Sequence, residues 1–311
     1  MNMKCKIYLV SLTVLALSTL MPGCSREQSP VVFDTPEAAV QDLAGLISRK
    51  DVDRLEQVFG PGSLDVLLSG DDEADREDYA RVGEMIAEGF DFDEYDENTR
   101  IAFFGEVEWP WPVPLVRDGK GWKFDLEEGR EELLNRRVGR NELWTLTAMH
   151  EIVDAQQEYY NMALADGITA FALKFRSSEG QRDGLYWPAV EGESDLSPLG
   201  EVLAGSEAWG DEPRPFHGYY YRILTSRGAD APGGELDYLD ENGLLNRGFA
   251  VVAWPATYGN SGVMTFMTDQ RGLVYQKDLG EGTGESAAAI ERFNPDPGWA
   301  PTEDSLIYVE E

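Results

Sequence analysis

The sequence predicts an α+β protein of two modules, each with helices packed on a small antiparallel sheet. Three observations carry that expectation. Apolar residues recur at helical spacing between Pro36 and Ile86, then switch to extended runs between Ile101 and Phe124. A second helical pattern, Asn141 to Met162, is followed by several separated β-rich segments. The chain has 311 residues, about twice the ~150 typical of one domain, and 42% are hydrophobic, enough for packed cores.

The elements follow in order. Thr35-Pro36-Glu37 is a helix start: a capping hydroxyl, a proline at the first helical position, an acid in the first turn. Val40, Leu43 and Ile47 lie on one face of that helix. Asp51 caps a second short helix that turns Leu55, Val58 and Phe59 inward, and Gly60-Pro61-Gly62 ends it. Asp71 to Gly89 is acid-rich and reads as a helix around Tyr79, Val82 and Ile86. Ile101 to Val107 reads as a strand. Trp109-Pro110-Trp111-Pro112-Val113-Pro114 reads as a stiff edge segment, because proline removes a donor at alternate positions. Leu115 to Arg117 and Trp122 to Phe124 form a hairpin about Asp118-Gly119-Lys120-Gly121.

In the second module, the helix Asn141 to Met162 contains neither glycine nor proline and carries a wide apolar face. Strands are expected at Gly218 to Leu224, Phe249 to Trp254, Val263 to Thr268 and Leu273 to Tyr275. Phe249 to Trp254 is apolar on both alternations, so both its faces should be covered. The domain plan is therefore residues 34–128 for the first module, 130–299 for the second, and a loose acidic tail at 300–311.

The N-terminus carries an address. Lys4 and Lys6 precede an apolar run from Ile7 to Leu20, too short for a stable membrane anchor. Met21-Pro22-Gly23-Cys24 follows and resembles the lipobox of bacterial lipoproteins. That resemblance implies a signal peptide over residues 1–23, acylation of Cys24, and a tether over 24–34. It also implies a lipid anchor in the cell envelope. Ser25, a non-aspartate after the cysteine, points by the same resemblance to the outer membrane, facing the periplasm.

Charge narrows the partners. With 58 acidic and 26 basic side chains the net charge is −32, which excludes nucleic acid and electrostatic docking on anionic lipid. The expected partners are the membrane, through the N-terminal lipid, and an envelope protein or cell-wall component.

The chemistry-bearing residues are sparse. Two histidines are present, His150 and His217, and two cysteines, Cys5 and Cys24. No Gly-x-Ser-x-Gly elbow, phosphate loop or dinucleotide fingerprint appears. No metal or cofactor is expected, since two histidines without a free cysteine make a poor zinc set. The acid runs at Asp91, Asp93, Glu94, Asp96 and at Asp71, Asp72, Glu73 suit a hard cation in principle and a solvated face in practice. The residues picked for ligand contact are Trp187, His217, Tyr219 and Tyr221, an aromatic cleft around one histidine. No catalytic residue is assigned.

Several segments together resemble one bacterial family, domain of unknown function 2950. They are Trp109 to Arg117, Val138-Gly139-Arg140-Asn141-Glu142-Leu143, Arg182 to Pro188, His217 to Leu224 and Tyr275 to Gly280. The resemblance implies a secreted or lipid-anchored address and no established activity. The second module is also similar to the globular heads of type IV pilins and pseudopilins. The matching residues are Asn141-Glu142, Gln156, Tyr159, Gly218 to Tyr221, Phe249 to Val251 and Thr265-Phe266. The chain departs from pilins in having a polar domain where they carry a long apolar helix. The helix order and hairpin of the first module resemble a nuclear-transport-factor-two-like cone. Function is therefore read as a non-enzymatic binding or adaptor protein. The alternatives are a hydrolase of envelope polymers using His217, and a small-molecule binder using the first module's cone.

Overall fold

The structure, a computed structural model, describes residues 29–303 except 166, 190–195, 209 and 211–212. The expected signal segment and Cys24 lie outside the described residues.

The first module forms as its caps dictate. Helix α1 (Pro36–Arg49) starts at Thr35, whose hydroxyl accepts from the Ala38 N–H at 3.2 Å, and ends at Lys50 in the left-handed region. Asp51 caps α2 (Val52–Phe59) by accepting from the Arg54 N–H at 3.1 Å. A single turn, α3 (Leu64–Leu67), leads to α4 (Asp72–Glu88). The sheet consists of β1 (Phe90–Glu94), β2 (Thr99–Phe104), β3 (Trp109–Pro110), β4 (Leu115–Asp118) and β5 (Gly121–Phe124). Its order is β1-β2-β4-β5, antiparallel throughout, with β3 against the end of β2. The prolines confine β3 to two paired residues at the edge, as their missing donors require. Val40, Leu43, Leu46, Val58, Phe104, Leu115 and Phe124 fill the core between α1, α2, α4 and this sheet.

The acid-rich stretch at Asp91 and Asp93 is strand β1, with Phe90 and Phe92 alternating toward the core, so its carboxylates take the outer face. Phe33, which falls within the expected tether, exchanges backbone hydrogen bonds with Trp122 at 2.7 Å, which pins the chain to β5 before α1 begins.

The largest difference is α5 (Leu126–Ala165), one continuous helix of 40 residues. The expected break at 128–130 lies inside it. Its first turns pack Leu126, Leu133 and Leu134 on the first core, and Ala148, Met149, Ile152 and Ala155 on the second. Gly129 is a packing residue rather than a breaker. A Cβ there would lie 2.7 Å from both the Pro112 carbonyl oxygen and Val113 Cα. Only glycine lets the helix approach that segment so closely.

The second module continues with α6 (Glu201–Ala204), β6 (Tyr219–Leu224), β7 (Ser226–Arg227), β8 (Leu236–Asp237), β9 (Ala250–Pro255), β10 (Met264–Asp269), β11 (Tyr275–Asp278), α7 (Thr283–Ala288) and β12 (Ala300–Pro301). The main sheet runs β12-β11-β10-β9-β6, and β7 pairs with β8 in a small ribbon. All six residues of β9 are buried, and α5 and α7 both pack on that strand, as its double alternation predicts. The tail expected from residue 300 is ordered at its start. Ala300 and Pro301 pair with β11, and Thr302 is buried with its N–H on the Val274 carbonyl at 2.9 Å. Edge pairing supplied the order that composition did not signal. No helix among the described residues is long and apolar enough to cross a membrane.

Candidate functional site

Two features meet on α5: a cleft in the first module and a polar seam between the modules. The cleft lies among α1, α2, α4, the Trp109–Pro112 segment and the first half of α5, with a cavity of about 100 Å³. Leu43, Ile47, Leu55 and Phe59 line it from the buried core. Tyr79, Val82, Trp109 and Leu133, partly exposed, line it nearer the surface. An apolar void of ~150 Å³ accepts a benzene ring, so this smaller space suits an apolar body of less than one ring. Two polar atoms on lining residues, Tyr79 Oη and Trp111 Nε1, are buried with no hydrogen-bond partner among the described residues. A buried donor left unmet costs about 1–3 kcal/mol. Burial pushes the Tyr79 phenol up to about 12, and the Asp75 charge adds to it, so Tyr79 is a neutral donor near pH 7.

The charged lining is unlike the rest of the chain. Arg81, Arg136, Arg137 and Arg140 line it together with one carboxylate, Asp78. Asp78 accepts from both Arg81 and Arg140, tying α4 to α5 beside the cleft. Arg136 donates to the Pro110 carbonyl at 2.6 Å, sits 5.2 Å from the Trp109 ring centre, and meets Glu132 on its exposed side. Burial lowers the pKa of Arg137 and of Arg140, and carboxylates nearby oppose the effect.

The seam is built from the next turns of α5. Arg137, 6% exposed, donates to the carbonyls of Val66 (2.7 Å), Leu67 (3.0 Å) and Leu68 (3.3 Å) and to the Asn260 side chain. It therefore joins α3 to the β9–β10 connection. Asn141 donates to the Ser261 carbonyl at 2.9 Å, and Glu142 accepts from the Val263 and Met264 N–H groups. Asp71, buried ahead of α4, accepts from the Gly218 N–H at 3.0 Å. It also caps α4 through Ala74 N–H at 3.1 Å. The acid run containing Asp71 thus holds a structural carboxylate rather than a wholly solvated face.

The expected aromatic cleft does not assemble. Tyr219 and Tyr221 are fully buried, with hydroxyls on the Met264 carbonyl (3.0 Å) and the Thr145 hydroxyl (3.5 Å). They alternate with Tyr220 on β6, so both turn into the core of a two-faced sheet. Trp187 is also buried, with the Arg182 guanidinium 5.3 Å from its ring. His217 stacks on Trp144, centroids 4.7 Å apart at 9°, and holds a positive φ of 48°. His150 lies half-buried on α5. No hydrogen bond from His217 to a hydroxyl or carboxylate is found among the described residues, and no cluster of three or more metal-ligating side chains occurs among them.

Burial lowers the His217 pKa from the ordinary 6.5, with Glu77 and Asp71 opposing. The unfolded chain therefore takes up this proton first as pH falls. The associated stability is complete above pH ~6.5 and is lost below it, down toward the folded pKa. His217→Asn, which tolerates a positive φ, is expected to flatten that part of a plot of denaturant midpoint against pH. An unchanged slope in the variant would refute the assignment.

Sequence reading missed Tyr79, Trp111, Arg136 and Arg140 as site residues. The signal was present in the Trp109 to Pro112 motif and in arginines at 136, 137 and 140, one and three residues apart on a helix. No curated protein and no solved structure matches the chain. A match over residues 30–302 is found to the family described as "Protein of unknown function (DUF2950)", and it covers both modules, the cleft and the seam. The segments that suggested this resemblance fall at the cleft wall (Trp109 to Pro112) and on into β4, along α5, in the connection before α6 (Arg182 to Pro188) and on β6 and β11, and the chain belongs to the DUF2950 family.

Proposed function

We propose that this is an envelope lipoprotein that binds a small, largely apolar ligand in the cleft of its first module without turning it over. The observation that carries the reading is the cleft itself: an apolar pocket wall with two buried, unpartnered donors on Tyr79 and Trp111. Pockets of this make-up, apolar with a few placed polar groups, are the usual sites of small ligands. Acylation of Cys24 would hold the protein at the membrane and leave the cleft free in the periplasm.

The test uses the full chain in two arms. Octanol, a neutral probe, should give a saturable one-to-one calorimetric signal that Val82→Trp abolishes by filling the cleft while the melting temperature holds. No saturable signal, or one indifferent to Val82→Trp, would end the ligand reading. In cells, Cys24→Ala should move the protein from the membrane to the soluble or precursor fraction. Fractionation like wild type would end the anchor reading.

A further inference from the structure

Resting on that reading, we propose that the ligand is a short amphiphile with an anionic head, its apolar body in the cleft and its head on Arg81, Arg136 and Arg140. In a chain with 58 acidic and 26 basic side chains, four guanidinium groups and one carboxylate on the cleft wall is an inversion of the overall charge. Depth separates the two kinds of lining. Leu43, Leu55 and Phe59 are at most 6% exposed, whereas the side chains of Arg81, Arg136 and Arg140 are 49%, 31% and 32% exposed. The core side of the apolar lining is therefore the deep part, and the cations stand toward solvent. That gradient matches a molecule with one greasy and one charged end.

The arginines are not fully matched by their neighbours. Arg81 and Arg140 share Asp78, and Arg137 is spent on backbone carbonyls and Asn260. Asp75 lies near Arg137 but accepts from the Ser69 N–H, and Glu132 meets Arg136 at the surface. Counting these carboxylates, the four guanidiniums still exceed the three acids. An arriving carboxylate or phosphate oxygen would gain charge-assisted hydrogen bonds from a guanidinium rim, the geometry for which Arg is suited. A cavity near 100 Å³, smaller than the ~150 Å³ that hold benzene, limits the enclosed part of the body to about four carbons, with the rest of the chain toward the rim.

The experiment compares four probes with one chain length on the full protein: octanoate, octyl phosphate, octanol and octyltrimethylammonium. Octanoate or octyl phosphate should bind about tenfold or more tighter than octanol, the gain of one charge-assisted contact. The ammonium probe should bind weakest. Preference for octanoate over octyl phosphate would identify a carboxylic acid as the natural head, and the reverse a phosphomonoester; either supports the inference. Arg81→Gln and Arg136→Gln should each weaken the anionic probe about tenfold more than they weaken octanol. Octanol binding as tightly as both anions would overturn the anionic head and leave the apolar cleft standing. If none of the four binds, the ligand reading beneath it fails instead.

Discussion

Arg137→Ala is expected to cost about 3–5 kcal/mol of stability, more than any substitution at the chain's surface. The side chain is buried and reaches three successive carbonyls of the α3 end, at 2.7, 3.0 and 3.3 Å, together with Asn260 from the second module. Truncation leaves those carbonyls without a donor and opens a void at the seam. Arg137→Lys keeps the charge but not the planar fork, and should recover only part of the loss. Urea unfolding followed by tryptophan fluorescence measures it. The two modules should also unfold less cooperatively, because one of the contacts between them is gone while Asp71 and the continuous α5 remain. A loss below about 1 kcal/mol with a single sharp transition would mean that Arg137 is a spectator.

Asp71→Ala is expected to cost about 2–4 kcal/mol. One carboxylate does two jobs there. It caps α4 through the Ala74 N–H, a contact worth about 1 kcal/mol. It also satisfies the buried Gly218 N–H at the start of β6, whose orphaning costs about 1–3 kcal/mol. Asp71→Asn retains an acceptor oxygen and should lose less than the alanine variant. Both substitutions act on the seam, so the double variant Asp71→Ala, Arg137→Ala should fall short of the sum. Strict additivity would show that the two contacts hold the modules independently. A normal melting temperature for Asp71→Ala would show that water replaces the carboxylate at both donors.

How much was legible depends on the range of the interactions. The starts of α1 and α2 were readable because Thr35 and Asp51 cap within three residues. The β4–β5 hairpin was readable because Asp118 to Gly121 is turn chemistry in sequence order. The burial of β9 was readable because both of its alternations are apolar. The site was not. Tyr219 and Tyr221 are amphipathic rings on a strand, and only knowing which elements cover β6 tells whether they face a cleft or a core. Trp109 and Trp111, read as part of a stiff edge segment, pack against Phe104 and each other. That the same rings also wall a cleft depends on where α4 and α5 stand.

By itself the sequence determined the α+β class, the local elements with their caps and turns, the family and the chain's strong negative charge. Each rests on residue type and near-neighbour spacing, where the physics is short-ranged. The tertiary structure alone decided that α5 runs unbroken through Gly129 and Gly139, because both ends of that helix are held by different cores. It alone brought Asp71 to Gly218 and Arg137 to Asn260, pairs 147 and 123 residues apart. It alone gathered Arg81, Arg136 and Arg140 beside an apolar cleft in an acidic protein. Such contacts are written in no local pattern. They arise when burial of two cores fixes the elements' positions, and the polar groups caught between them must then find partners or be left to a ligand.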